Sequence, residues 1–222
     1  IAHVIIGERL VSPSYYNGYW YKMSVLSELY DGIALCQQCE LAKFRTNAVP
    51  GEGAGDADVL FVGEAPGWHE DQHGRPFVGP AGQYLDQLLA SIDLKRGQVH
   101  ITNVVKCRPT GNRDPLPVEI NNCRPWLEKQ IELIVPKMIV TLGRYAMAKF
   151  FPGNTIGKIH GTAQKRGNVI YYVMYHPAAA LHQQSLRQVI EADMLKIPSL
   201  LAEAKNIIEA EPQSQQLKMF ET

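Results

Sequence analysis

The sequence predicts a single α/β domain, three layers deep, with helices on both sides of a central, mostly parallel sheet. Three observations predict it. Short apolar runs at 59–62, 99–105, 138–142 and 169–175 read as strands buried on both faces, as parallel strands are. Stretches with apolar residues at helical spacing fall between them. The chain, 222 residues long, suits one such domain with short appendages.

Residues 1–22 crowd Tyr15, Tyr16, Tyr19, Trp20 and Tyr21 together without helical or strand period, and read as an extension of no assigned role. The domain is expected over 23–208. From Ser24, apolar Val25, Leu26, Leu29 and Ile33 repeat at helical spacing and lead into Cys36-Gln-Gln-Cys39. A loop with Lys43, Arg45, three glycines and a proline feeds the first strand, Val59-Leu60-Phe61-Val62. Gly63-Glu64-Ala65-Pro66-Gly67 breaks that strand, and a second Gly-rich turn, Phe77 to Gly82, opens a helix through Tyr84, Leu85, Leu88 and Leu89. The polar loop between carries Glu64, His69, Glu70, Asp71, His73 and Arg75 where α/β sheets place ligands, beyond the carboxyl ends of the strands.

The second strand carries Asn103 and leads to Lys106-Cys107-Arg108-Pro109, followed by the polar turn Gly111-Asn112-Arg113-Asp114. A helix is expected over 118–135 with Cys123 in its first turns. The 138–142 strand precedes a helix that stops near Pro152-Gly153. The 169–175 strand ends at His176-Pro177, and one long helix is expected over 186–208. The tail, 209–222, is polar and expected to be disordered apart from its final hydrophobic residues.

Lys+Arg and Asp+Glu both number 22, so any contact with nucleic acid has to come from local patches. No apolar run reaches the length of a membrane span, and no signal-peptide pattern opens the chain; an intracellular, nucleoid-associated protein without a membrane partner is expected. The four cysteines form one pattern: Cys36-x-x-Cys39, then Cys107, then Cys123. A Cys-x-x-Cys brings two sulfurs within reach of one metal centre, and the other two complete a four-thiolate set. Zinc and an iron–sulfur cluster both accept four sulfurs, so the donors alone leave both open.

Six segments taken together resemble the family-four uracil-DNA glycosylases, the iron–sulfur branch of that superfamily. They are Cys36-Gln-Gln-Cys39 with Arg45-Thr46-Asn47, then GEAPGWHED at 63–71 and GRPFVGPAG at 74–82. TNVVKCRPTGNRDP at 102–115, CRPWL at 123–127 and HPAAAL at 176–181 follow, in the family's order and spacing. The resemblance implies a 4Fe–4S cluster on Cys36, Cys39, Cys107 and Cys123, and excision of uracil from DNA by hydrolysis of its N-glycosidic bond.

It also implies roles for residues. Phe77 is the platform under the flipped base, and Asn103 reads its Watson–Crick edge. His176 donates toward uracil O2 as negative charge builds there, and the backbone near Ala65 assists. Glu64 and Glu70 match the family's two loop carboxylates, expected to position or activate the attacking water. Asn112 holds the water or the nucleotide. Lys106, Arg108, Arg113 and Arg187 are candidate phosphate contacts, and Leu181 resembles the wedge that fills the vacated stack. Ala65 stands where the best-known branch of the superfamily has an aspartate, which shifts water activation to Glu64 and Glu70. No lysine is evidently placed for a Schiff base, so an enzyme without strand cleavage is expected, acting as a monomer. The alternatives weighed are a broader range of deaminated bases and a non-catalytic iron–sulfur DNA-binding module. Gln216, Leu217, Met219 and Phe220 resemble a sliding-clamp-binding peptide.

Overall fold

A computed structural model describes residues 22–205 in full and, before them, the backbone of the secondary-structure elements that start at Val4. The expected tail, 209–222, lies outside the described residues. Strands β1 (Val4–Ile6) and β2 (Arg9–Val11) pair antiparallel. Helix α1 (Pro13–Leu35) runs straight through the expected boundary at residue 22, so the domain has no backbone break there. Once a helix is nucleated each further residue adds a hydrogen bond, so a segment without its own apolar period can join it. The predicted face of α1 is the buried one, with Leu26 and Ile33 almost fully enclosed.

Strand β3 (Glu52–Gly53) precedes β4 (Val59–Gly63), which is buried throughout. Helices α2 (Trp68–His73) and α3 (Pro80–Ala90) follow, then β5 (His100–Asn103) and α4 (Pro117–Ile134). Strand β6 (Met138–Leu142) leads to α5 (Arg144–Phe150) and the short α6 (Ile156–Ile159). Strands β7 (Ala163–Arg166) and β8 (Val169–Met174) form a hairpin, and α7 (Pro177–His182) and α8 (Ser185–Met194) follow it.

The six-stranded sheet has the order β3-β5-β4-β6-β8-β7. Its inner strands β5, β4, β6 and β8 are mutually parallel, as predicted, and the antiparallel edges β3 and β7 are additions. The sequence hides both edges for a physical reason. β7 is exposed at every residue and carries no apolar alternation, while β3 is two residues long.

Successive side chains on a strand point to opposite faces, and β4 shows what that makes. Val59 and Phe61 join Leu85, Leu88 and Leu89 of α3 and Ile190 and Met194 of α8 on one side. Leu60 and Val62 join Leu127 and Ile134 of α4 and Ala146 of α5 on the other. These are the three predicted layers.

The long helix expected over 186–208 is two helices instead. α8 ends at Met194, a turn covers 195–196, and helix resumes over 197–205 within the described residues. Pro198 explains the break: it has no N–H to give, and its ring would strike the carbonyl four residues back. It is well tolerated in the first turn of the new helix. Among the described residues no helix is long and apolar enough to cross a membrane.

Candidate active site

Because the inner strands are parallel, the loops after β4, β5 and β8 meet at one edge of the sheet. They enclose a cavity of about 470 Å³ whose lining includes Glu64, Ala65, Glu70, Phe77, Asn103, Asn112, Arg113 and His176. All the residues expected to handle the base and the water are brought together there. Pro109, Ala178, Ala179 and His182 complete other parts of the wall.

Phe77 is buried and takes a left-handed backbone conformation, φ 51°, rare for a bulky residue. Glu70 holds it there. One Glu70 oxygen accepts from Val78 N (2.8 Å) and Gly79 N (2.9 Å), and the other accepts from Gly67 N (3.1 Å). The carboxylate therefore staples both Gly-rich turns of the loop. Gly82 makes the turn sterically feasible, since a Cβ there would lie 1.9 Å from the Phe77 carbonyl oxygen. Gly63 has a similar role on the other side. Its Cβ would fall 2.4 Å from Asn103 Oδ1 and 2.7 Å from the Phe77 ring.

Asn103 ends β5 and is almost wholly buried, yet among the described residues its Oδ1 has no hydrogen-bond partner. A buried acceptor left unmatched costs about 1–3 kcal/mol, so it is a strong sign of a ligand with a donor to offer. The Phe77 and His176 rings lie stacked, 5.4 Å between centroids and 25° between planes. His176 caps α7: its Nδ1 accepts from Ala178 N at 3.1 Å. That contact puts the proton of the neutral ring on Nε2. Burial pushes the imidazolium pKa down to about 4, with the Glu70 carboxylate pulling the other way, so the ring is neutral near pH 7.

Among the described residues the Glu64 carboxylate accepts no hydrogen bond. Burial raises its pKa to about 7; the Asp114 charge adds to the rise and Arg144 opposes it. Asp114 is itself held by Arg144, at 2.6 Å, and by Tyr145. Sequence reading missed this trio. Asp114 looks like an ordinary turn residue and Arg144 an ordinary helix start, and only the fold carries them to Glu64.

The predicted DNA contacts divide. Leu181 on α7 is half exposed, as a wedge has to be. Arg113 lines the cavity mouth, paired with the buried Glu119 at 2.6 Å. Arg108 Nε donates to Asn112 Oδ1 at 2.7 Å, which ties those two candidates together. Arg187 does not line the cavity; it lies over the Tyr84 ring and pairs with Glu191 at 3.0 Å. Lys106 is a correction. It is 1% exposed, and its Nζ donates to Thr102 Oγ1 (2.6 Å), Gln130 Oε1 (2.6 Å) and Asn103 O (2.7 Å), so it cannot touch a phosphate. The residue after a strand end reads as exposed in sequence, but here the chain turns inward and protein oxygens replace water around the amine.

All four cysteines line a second, small cavity together with Arg45 and Trp126. Cys107 and Cys123 are buried, and Cys36 and Cys39 are partly so. Among the described residues no three His, Cys, Asp or Glu side chains close to single-ion distances. Burial raises both inner thiols, Cys123 to about 11, so their thiolates need a compensating positive charge. Two donors already face the sulfurs: Arg45 Nη1 to Cys107 Sγ at 2.9 Å and Lys106 N to Cys123 Sγ at 3.2 Å.

Residues 50–196 match the family model described as the uracil DNA glycosylase superfamily. The chain is 47% identical over 188 residues to the type-4 uracil-DNA glycosylase of Sulfurisphaera tokodaii, covering 80% of this chain and 86% of that protein. It is 43% identical to the type-4 enzyme of Archaeoglobus fulgidus over 80% of this chain and 94% of the relative. The Thermotoga maritima type-4 enzyme is 40% identical, over 81% and 94%. Apolar inner strands, three strand-end loops around one cavity and these relatives agree: the chain belongs to the uracil-DNA glycosylase superfamily, among its type-4 members.

Proposed function

We propose that the cavity receives a uracil rotated out of DNA and that the chain hydrolyses its N-glycosidic bond, leaving an abasic site and free uracil. The observation that carries this reading is the unpartnered, buried Oδ1 of Asn103 beside Phe77. Uracil N3–H would satisfy that oxygen. Cytosine has an acceptor at the same place, which would leave two acceptors face to face, so the site rejects it by polarity rather than by size.

Phe77 provides the aromatic platform. His176 is near enough to donate, from Nε2, to the edge of a base lying on it. A neutral donor suits this chemistry. As the bond to the sugar breaks, charge gathers on uracil O2, and a fixed N–H stabilises it. Ala65 lines the same cavity, and in this reading its backbone N–H adds a second donor. Glu64 is the base that activates water, since its carboxylate is uncommitted and its pKa of about 7 favours proton uptake near neutrality. Glu70 acts as a positioning residue, because its oxygens are taken by the N–H groups that hold Phe77's loop. Asn112 and Arg113 line the same cavity and serve as its contacts to the DNA strand in this reading.

In the four cysteines we place a 4Fe–4S cluster, supported by a complete four-sulfur donor set around one cavity. When bound it supplies the positive charge that buried thiolates require, and it ties α1, the segment after β5 and α4 together. No step of base excision passes through it. Action as a monomer is part of the same proposal, and gel filtration of the full chain checks it. The clamp-binding reading of 216–220 rests on sequence alone, those residues lying outside the described ones. DNA as a partner follows from the reaction, and nucleoid association from DNA.

The test is single-turnover cleavage of an oligonucleotide with one uracil, alkali treatment revealing the abasic site. Wild type cleaves; His176→Ala and Asn103→Ala each lose about 10²–10³-fold, the usual cost of one transition-state donor. Tight DNA binding with no uracil release by the cluster-loaded wild type would sink the proposal.

A further inference from the structure

We infer that Arg45 sets the reduction potential of the cluster by donating a charged hydrogen bond to one of its ligand sulfurs. The inference rests on the cluster reading above and deepens it. The Arg45-Thr46-Asn47 segment touches no part of the uracil cavity. Arg45 reaches instead into the cysteine cavity, where Nη1 donates to Cys107 Sγ at 2.9 Å. Its Nη2 donates to Ala34 O at 2.7 Å and Cys36 O at 2.9 Å. One planar guanidinium thus spans the end of α1, the first cysteine and the third. Only a fork of donors can do this; a single ammonium cannot.

The charge of this group is not spent elsewhere. Among the described residues Arg45 forms no ion pair with Asp or Glu, and the sulfur is its only acceptor outside two neutral carbonyls. A second donor faces the same cavity. Trp126 lines it, and its Nε1–H is buried with no partner among the described residues. An N–H so placed requires an acceptor, and all four cysteine sulfurs line the same cavity. Donors to cluster sulfurs stabilise the reduced, more negative form, so they raise the potential. Arg45 also has company on the protein side. Thr46 N and Asn47 N donate to the buried Asp71 of α2 at 2.9 and 3.4 Å, which keeps the arginine's backbone from drifting.

The experiment uses the full chain, reconstituted anaerobically, with iron and sulfide analysis and voltammetry of wild type, Arg45→Met, Arg45→Lys and Trp126→Phe. The expected result is a lower potential in Arg45→Met. The reduction equilibrium falls about tenfold, about 59 mV for a one-electron couple. Arg45→Lys lies between, and Trp126→Phe, which keeps an aromatic ring and removes the N–H, shifts the same way. A purely structural clamp would give faster cluster loss with the potential of the surviving cluster unmoved. That result, in the lysine and phenylalanine variants as well, overturns the inference. Absence of iron and sulfide from reconstituted wild type overturns the cluster reading itself, a separate and recognisable outcome.

Discussion

Glu64 and Glu70 belong to one loop, and the fold gives them opposite conditions. Glu70 is saturated by three backbone N–H groups, whereas Glu64 has none and has its proton affinity raised chiefly by burial and then by Asp114. A base must be ionised to take a proton from water. The single-turnover rate is therefore expected to rise with pH, with half its rise near 7, and to flatten above. Asp114→Asn removes a charge that raises the Glu64 pKa and frees Arg144, which lowers it, so both effects move the rise to lower pH. A pH–rate profile of the variant that coincides with wild type would disprove the assignment of that limb to Glu64.

Gly63 invites a second test at this scale. A methyl group there collides with Asn103 Oδ1 and the Phe77 ring, so Gly63→Ala should reduce cleavage by at least tenfold. Its folding stability should fall by about 1–3 kcal/mol, as overpacked sites do. Unchanged cleavage would mean that the base is not read between these two residues.

Among the elements, α7 and α2 carry the most specific expectations. α7 begins at the His176 cap and presents Leu181, 52% exposed, which is far more than a core leucine has. A wedge matters only where a stacked partner strand must be held open. Leu181→Ala is expected to slow uracil release from duplex DNA about tenfold and to leave single-stranded substrate unaffected; equal losses on both would refute the wedge. α2 is only six residues long and is fastened through Asp71, which accepts from Thr46 N and Asn47 N. Asp71→Ala removes the acceptor of two partly buried N–H groups and should cost about 1–2 kcal/mol in urea unfolding. With Glu70 next in the chain, the Phe77 loop should loosen as well.

Over the whole molecule the formal charge is zero, so attraction to DNA depends on where the cations sit. Arg113 lines the cavity and Arg108 bonds to Asn112 of its wall, while Lys106, their close neighbour in sequence, is sealed from solvent. Each phosphate contact contributes about 0.9 to the slope of log affinity against log salt on duplex DNA. Arg108→Ala and Arg113→Ala should each lower that slope by about 1, and folded Lys106→Met should leave it unchanged. A drop in Lys106→Met would contradict the buried placement. At the far end of the chain, removal of residues 216–222 is expected to abolish capture by a sliding clamp without changing uracil release.

Much of this architecture was legible in the sequence, and the reason is local. Strands buried on both faces have to be apolar along their length, so β4 and β6 announce themselves, and the α3 and α4 faces follow from helical spacing. Loops after such strands hold ligands, which places Glu64, Asn103 and His176 at one sheet edge before the fold is seen. Four cysteines in one pattern specify a donor set. What stayed hidden depends on which atoms meet across long stretches of chain. Whether a lysine faces water or three protein oxygens, as Lys106 does, is decided by the turn of the backbone after β5. Whether a carboxylate is a base or a staple depends on the N–H groups brought to it, and those of Val78 and Gly79 reach Glu70 only because Gly82 lets the Phe77 turn close. Asp114, Arg144 and Glu64 are distant in sequence, and their coupling through a partly buried cavity exists only after folding. The sequence by itself determined the layers, the polar residues at their edge and the four-cysteine pattern, because those follow from residue type and spacing. The tertiary structure alone decided burial, protonation and pairing, because each depends on neighbours that the chain meets only when folded.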